Sequence, residues 1–154
     1  MIEVKERIEV PSSPQAVWEV LSDPHAVVEC VKGASLGERH EDGSYDAGLL
    51  VSFGVTKVTF KASFTLDLDP ATMSGKVSSR GKDKQGSTKI KAEMAFRVEP
   101  LADPKTAAVT IEAQTEVGGR MASLVETGAS FVVGRMTADF AKRLAARLTG
   151  ETVA

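Results

Sequence analysis

The stretch from Gly118 to Leu148 limits what this chain can fold into more than any other. It contains no proline and is rich in Ala, Leu, Met and Arg, which sustain a helix well. A double glycine opens it, and Gly150 stands where a C-cap belongs. Met121, Leu124, Val125, Val132, Met136, Phe140, Leu144 and Leu148 recur at three- and four-residue steps and give the helix one broad apolar face. Arg143 and Arg147 fall in the last turns, where cations suit the helix dipole. About 30 residues of helix reach roughly 45 Å. A rod with such a face needs a surface to bury it, and the rest of the chain offers strands.

Residues 2–10 alternate as a strand with Val4, Ile8 and Val10 on one face. Pro11-Ser12-Ser13-Pro14 ends it; Ser12 or Ser13 can cap a helix that Pro14 begins and Leu21 closes. Asp23-Pro24 starts a second short helix from His25 to about Val31. From Ala34 the period changes to two. Strands are predicted at 35–41, 45–53, 57–68, 73–81, 88–98 and 109–117, with turns at Gly43, Gly54, Asp69-Pro70, Gly81–Ser87, and Pro100 with Asp103-Pro104. Val58, Phe60, Ala62, Phe64, Leu66 and Leu68 alternate strictly with polar residues, as a strand wetted on one side does. The order is one strand, two short helices, six meandering strands and one long helix. Hairpin-linked strands make an antiparallel sheet, and its apolar face must be covered.

Length and composition bound the rest. A chain of 154 residues with 42% hydrophobic content reads as one domain, 1–154. A domain of this size buries about 70% of its unfolded surface without a disulfide or a metal staple. The single Cys30 reads as a small buried residue and fits a reducing compartment. No apolar run is long enough to span a membrane, and the immediate alternation of Met1-Ile2-Glu3-Val4-Lys5 predicts a strand and not a signal peptide. The expectation is a cytoplasmic protein. A net charge of −2 argues against nucleic acid as the partner. Between Lys57 and Arg97, nine Lys or Arg stand against four Asp or Glu, a surplus of +5, so the rest of the chain carries −7.

At finer grain the sequence resembles the CoxG-like family, named for a component of carbon monoxide dehydrogenase, within the START/SRPBCC superfamily. The helix-grip fold of that superfamily is shared by START domains, the birch-pollen allergen family and polyketide cyclases. The residues that carry the resemblance are Ile8-Glu9-Val10-Pro11, Val17-Trp18, Leu21-Ser22-Asp23-Pro24, Cys30, Gly33 and Leu36. Tyr45-Asp46-Ala47, Phe60, Leu68-Asp69-Pro70, Gly75, Ala113-Gln114 and Val117-Gly118-Gly119-Arg120-Met121-Ala122 complete it. Lys32-Gly33-Ala34 stands where the family usually shows Pro-Gly-Cys. The resemblance implies an α+β helix-grip fold: a curved seven-stranded antiparallel sheet, two short helices after its first strand, wrapped around the long C-terminal helix.

It also implies a cavity between sheet and helix, where the residues alone read rather as a packed core, because Phe and Met on inward strand faces are usually packing. The strand walls would be Val51, Phe53, Phe60, Phe64, Met73, Val77, Met94, Phe96, Ile111 and Ala113, and the helix walls Leu124, Gly128, Phe131 and Val132. So apolar a space suits an apolar ligand such as a quinone or a lipid. Small inward residues (Gly75, Ala92, Ala113) leave room, and Gly128 to Gly134 is the weakest helical stretch, equally a candidate lid and a place of close packing or a slight bend. Inward Ser79, Thr88, Thr115 and Glu6 are candidates to orient a head group.

Catalytic residues are not expected. No acid and base face the cavity as a pair, and His25 and His40 have no partners at metal-ligand spacing. Neither a metal nor an organic cofactor is expected. Gly81-Lys82-Asp83-Lys84-Gln85-Gly86-Ser87 lacks the order of a phosphate loop. The resemblance implies a non-catalytic, ligand-binding accessory to a molybdenum hydroxylase of the carbon monoxide dehydrogenase type. A cyclase or dehydratase using the same cavity, and an interaction module without ligand, are the alternatives. Lys57, Lys61, Lys76, Arg80, Lys89 and Lys91 take outward positions on three successive strands. This stripe reads as a solvated face, or as a peripheral contact with anionic lipid on the inner face of the cell membrane or with an acidic partner.

Overall fold

The computed structural model describes residues 2–53 and 55–150, with Phe53 and Ser130 described for their backbone alone. Its elements follow in the order β1 (Ile2–Val10), α1 (Pro14–Leu21), α2 (Pro24–Glu29), β2 (Ala34–Arg39), β3 (Tyr45–Phe53), β4 (Thr56–Asp69), β5 (Ser74–Asp83), β6 (Thr88–Pro100), β7 (Ala107–Gly119) and α3 (Ala122–Thr149). Seven antiparallel strands form one sheet in the order β1-β7-β6-β5-β4-β3-β2. The first strand therefore pairs with the last, and every other neighbour pair is a sequential hairpin.

The short helices start where their caps dictate. The Ser13 hydroxyl accepts from the Ala16 N–H at 3.3 Å, and the Asp23 carboxylate accepts from the His25 N–H at 3.0 Å. Pro14 and Pro24, which have no N–H to satisfy, take the first helical positions.

The long helix begins later than its glycines suggest. Gly118 and Gly119 belong to β7, and α3 starts at Ala122. Gly119 has φ of +102°, and a Cβ there would lie 2.0 Å from the Ser87 carbonyl oxygen, so only glycine fits. The glycines end the strand; they do not open the helix. Met121, the cap residue, has no capping side chain of its own. Its N–H donates instead to the Thr88 hydroxyl at 3.0 Å, and the Arg120 N–H donates to the Ser87 carbonyl at 2.9 Å. The turn between β5 and β6 thus supplies the cap for α3. At the far end Gly150, with φ of +76°, closes the helix as expected.

Two separate apolar clusters hold α3 to the sheet. One joins Val17, Trp18 and Leu21 of α1 to Val10, Val98, Val109 and the fully buried Leu144 of α3. Arg147 of α3 pairs with Glu29 of α2 at this end. The other cluster joins Val125 and Val132 of α3 to Val51 of β3 and Val58 and Phe60 of β4. Among the described residues no helix is long and apolar enough to cross a membrane.

Candidate functional site

Between those clusters lies sheet that α3 does not cover closely. The close approaches of α3 are to β1 and β7 on one side and to β3 on the other, and it stands off the central strands. Two rows of inward side chains cross the sheet here. Register sets Tyr45, Phe64, Ser79, Ala92, Thr115 and Ile2 side by side, and next to them Leu66, Val77, Met94, Ala113 and Val4. Every one of these side chains is half-buried, although all face the helix. Buried positions resume only in the clusters at either end. The covering helix leaves this inward apolar surface accessible, at the level where a space between the two layers is expected.

The strand residues expected to wall this space divide into three groups. Phe64, Val77, Met94 and Ala113 lie in the open rows. Val51 and Phe60 are buried in the cluster under the first half of α3 and close one end. Met73, Phe96 and Ile111 pack against the cluster under its second half and close the other. The Phe53 side chain lies outside the described residues. Gly75 offers no room: a Cβ there would meet the Phe96 ring at 2.6 Å, so the ring fills the space the glycine leaves. Small side chains stand at Ala92, whose neighbours across the strands are Ser79 and Thr115, and at Ala113, between Met94 and Val4.

The helix side needs correction. Leu124 and Phe131, expected to point inward, are 37% and 69% exposed. The inward face is set by Val125, Ala129 and Val132, all buried, with Met121 and Met136 packed beside them. Leu124 and Phe131 each sit one residue before an inward valine, and a step of one turns a helical side chain about 100° away. Phe131 instead lies against the Arg135 guanidinium, 5.6 Å from ring centroid to Cζ. Gly128 is half-buried within the continuous helix, but Gly134 is exposed, with nothing within 4 Å of where its Cβ would be. The pair does not form one inward turn.

The polar candidates also divide. Thr88 is fully buried, and its hydroxyl accepts from the Met121 N–H, so it anchors the helix. Beside it lies Asp83, 7% exposed, which the loop placement at Gly81 missed. Its carboxylate accepts from the Thr88 N–H at 3.1 Å and from the Ser87 hydroxyl at 2.9 Å. Those hydrogen bonds, the Thr88 N–H first, hold its carboxyl below the ordinary carboxylate range. The alternation Gly75, Val77, Ser79, Gly81 continued two residues further would have put Asp83 inside. Ser79 and Thr115 remain in the open rows; Glu6 lies beside Ile111, a row nearer the α1 cluster.

His40 does find partners. Its Nε2 lies 2.8 Å from the Asp46 Oδ1 across the β2–β3 turn, and the hydrogen bond to Asp46 raises its pKa above the ordinary imidazole value. Glu38 completes a fully exposed trio with ligand atoms within 4.8 Å of one another. One imidazole and two solvated carboxylates make an ion pair at a hairpin end, away from the open rows. Burial raises the pKa of the Cys30 thiol, against the opposing pull of Arg147.

Comparison with solved structures finds the same fold under divergent sequences. A conserved protein from Geobacillus kaustophilus is 24% identical, with 97% of this chain and 96% of that one covered and a TM-score of 0.83. A START superfamily protein from Mycobacterium smegmatis is 22% identical, with 96% and 97% covered and a TM-score of 0.59. The Zhui aromatase/cyclase from Streptomyces sp. R1128 is 17% identical, with 96% and 93% covered and a TM-score of 0.60. These likenesses show the helix-grip architecture of the START/SRPBCC superfamily. No curated protein matches the chain. The family model for CoxG, a carbon monoxide dehydrogenase component, matches residues 7–149.

Proposed function

We propose that this chain, which belongs to the CoxG family of carbon monoxide dehydrogenase components, carries an apolar small molecule, a quinone or a lipid, between α3 and the middle of its sheet. The observation behind this reading is the pair of half-buried rows facing the helix. Phe64, Val77, Met94 and Ala113 offer apolar contact there, and the thioether of Met94 adapts to irregular shapes. Val51, Phe60 and Val132 bound one end of the space, and Met73, Phe96 and Ile111 the other. Ser79 and Thr115 provide hydroxyls to orient a head group, which is the usual make-up of a small-molecule site: mostly apolar with a few placed polar groups.

Binding without chemistry fits the side chains. Proton transfer needs an acid and a base converging on one point. The two open rows bring hydroxyls and apolar groups to the space; of the carboxylates on the same face, Asp83 is engaged in holding the β5–β6 turn and Glu6 stands beside Ile111, a row nearer the α1 cluster, so the two do not converge. Membership of the family supports an accessory role beside a molybdenum hydroxylase of the carbon monoxide dehydrogenase type. The ligand would then be what passes between the two.

Native mass spectrometry of the gently purified protein, followed by solvent extraction, tests the reading. The expected result is a bound quinone or lipid near one per chain. A protein that stays at its bare mass after purification, and after incubation with a short-chain quinone or with phospholipid, would overturn it.

A further inference from the structure

The sheet face turned away from α3 holds an open trough of about 1030 Å³ running across β3 to β7. Its floor is the backbone of one small-residue row, Ala47, Ala62 and Gly81, continued by Ile90 and Val117. Lys61, Lys82 and Lys89 stand directly opposite one another on β4, β5 and β6, and Arg80 and Lys91 oppose each other two residues along. All five are exposed, and among the described residues none belongs to an ion pair.

Like charges set directly opposite destabilise a sheet. The same face carries its own control nearer β1. A smaller depression of about 390 Å³ there is lined by Lys5, Lys76, Glu3, Glu93 and Glu112, with both signs interleaved. The surplus of one sign is therefore a property of the trough and not of the face. Staying soluble or blocking edge pairing needs no such stacking of one sign.

Carboxylates appear at the two ends of the trough, Asp46 on β3 and Glu116 on β7. The five cations between them occupy two strand spacings, about 10 Å, by two residues, about 7 Å. A recess of this kind favours a short acidic chain. A flat bilayer meets the rims and leaves the floor empty. A long polyanion such as nucleic acid runs into Asp46 and Glu116. On an extended peptide lying along the trough, alternate carboxylates are about 7 Å apart, so two of them fall within the roughly 10 Å of cations, inside the reach of the flexible lysine side chains, whose stems give apolar walls.

We infer that this trough docks an extended acidic segment of a partner protein. The inference does not depend on what the interior holds. The probe is a fluorescent peptide of alternating Glu and Ser, followed by anisotropy, with a Gln-Ser peptide of equal length as reference. Lys82→Glu with Lys89→Glu should weaken the acidic peptide by about tenfold or more. Lys5→Glu with Lys76→Glu, equal in charge change but outside the trough, should alter it by less than about twofold. Unchanged circular dichroism of both double variants keeps the comparison fair. Equal losses in the two variants, equal binding of the Gln-Ser peptide, or tighter binding of phosphatidylglycerol vesicles or of a single-stranded oligonucleotide would overturn the inference.

Discussion

Replacing Ala92 with phenylalanine separates an open interior from a filled one. Ala92 sits at the centre of β6, with Ser79 on one side and Thr115 on the other, all half-buried under α3. In a close-packed core, forcing in a ring costs about 1–3 kcal/mol or more. In the space described here the ring goes where no side chain is. Full burial of a Phe side chain stabilises by about 1.5–3 kcal/mol, and partial burial among half-covered neighbours should yield roughly 1 kcal/mol. For a chain of 154 residues each kcal/mol moves the Tm by about 2–4 °C. Ala92→Phe should therefore melt at or a few degrees above the parent, while losing the bound apolar molecule. Leu144→Ala is the reference for a filled site. Leu144 is 0% exposed, and its truncation should cost about 3–5 kcal/mol, or roughly 6–20 °C. Thermal melts by circular dichroism of the three proteins decide the matter. A fall of more than about 2 °C for Ala92→Phe, with Leu144→Ala behaving as stated, would refute the open space.

Two further outcomes follow from particular residues. Gly134→Ala should stabilise by about 1 kcal/mol, because Gly134 lies inside α3 and a Cβ there meets nothing within 4 Å; a lower melting temperature would mean that the glycine has a packing role. His40 should titrate by NMR above its ordinary range, and nearer to it in Asp46→Asn. Its folded-state pKa is raised, so whatever the pair adds to stability is complete below the unfolded value and is lost as pH rises through the folded one. Identical midpoints in the two proteins would show that the hydrogen bond to Asp46 does not form in solution.

Most of the sheet was legible because its strands alternate cleanly and are linked by short turns. The strand over Tyr45–Phe53 and the helix over Pro14–Leu21 have the bounds that alternation and capping residues predict. The rotation of α3 was not legible. The pairs Leu124-Val125 and Phe131-Val132 put two apolar residues in succession, and helical periodicity accepts either member. Only packing against β3 and β4 selects the valines. The pairing of His40 with Asp46 depends on register across the β2–β3 hairpin, and an irregularity between Leu36 and Arg39 resets that register. The role of Thr88 was hidden for a different reason. A buried hydroxyl facing an interior looks the same in sequence whether it meets a ligand or, as here, a backbone N–H thirty-three positions away.

The pairing of β1 with β7 has a consequence for how the chain reaches its fold. Ile8 stands beside Val109, and Val10 beside Ala107, so the first strand has no sheet neighbour until β7 has been made. The five hairpins from β2 to β7 need only local closure, which is fast. The α1 cluster needs β1, β7 and the last turns of α3 together. Val17, Trp18 and Leu21 therefore lack their partners on β7 and α3 until those elements have formed, and this half of the molecule assembles after the hairpins. Substitutions there should speed unfolding and leave the folding rate nearly unchanged.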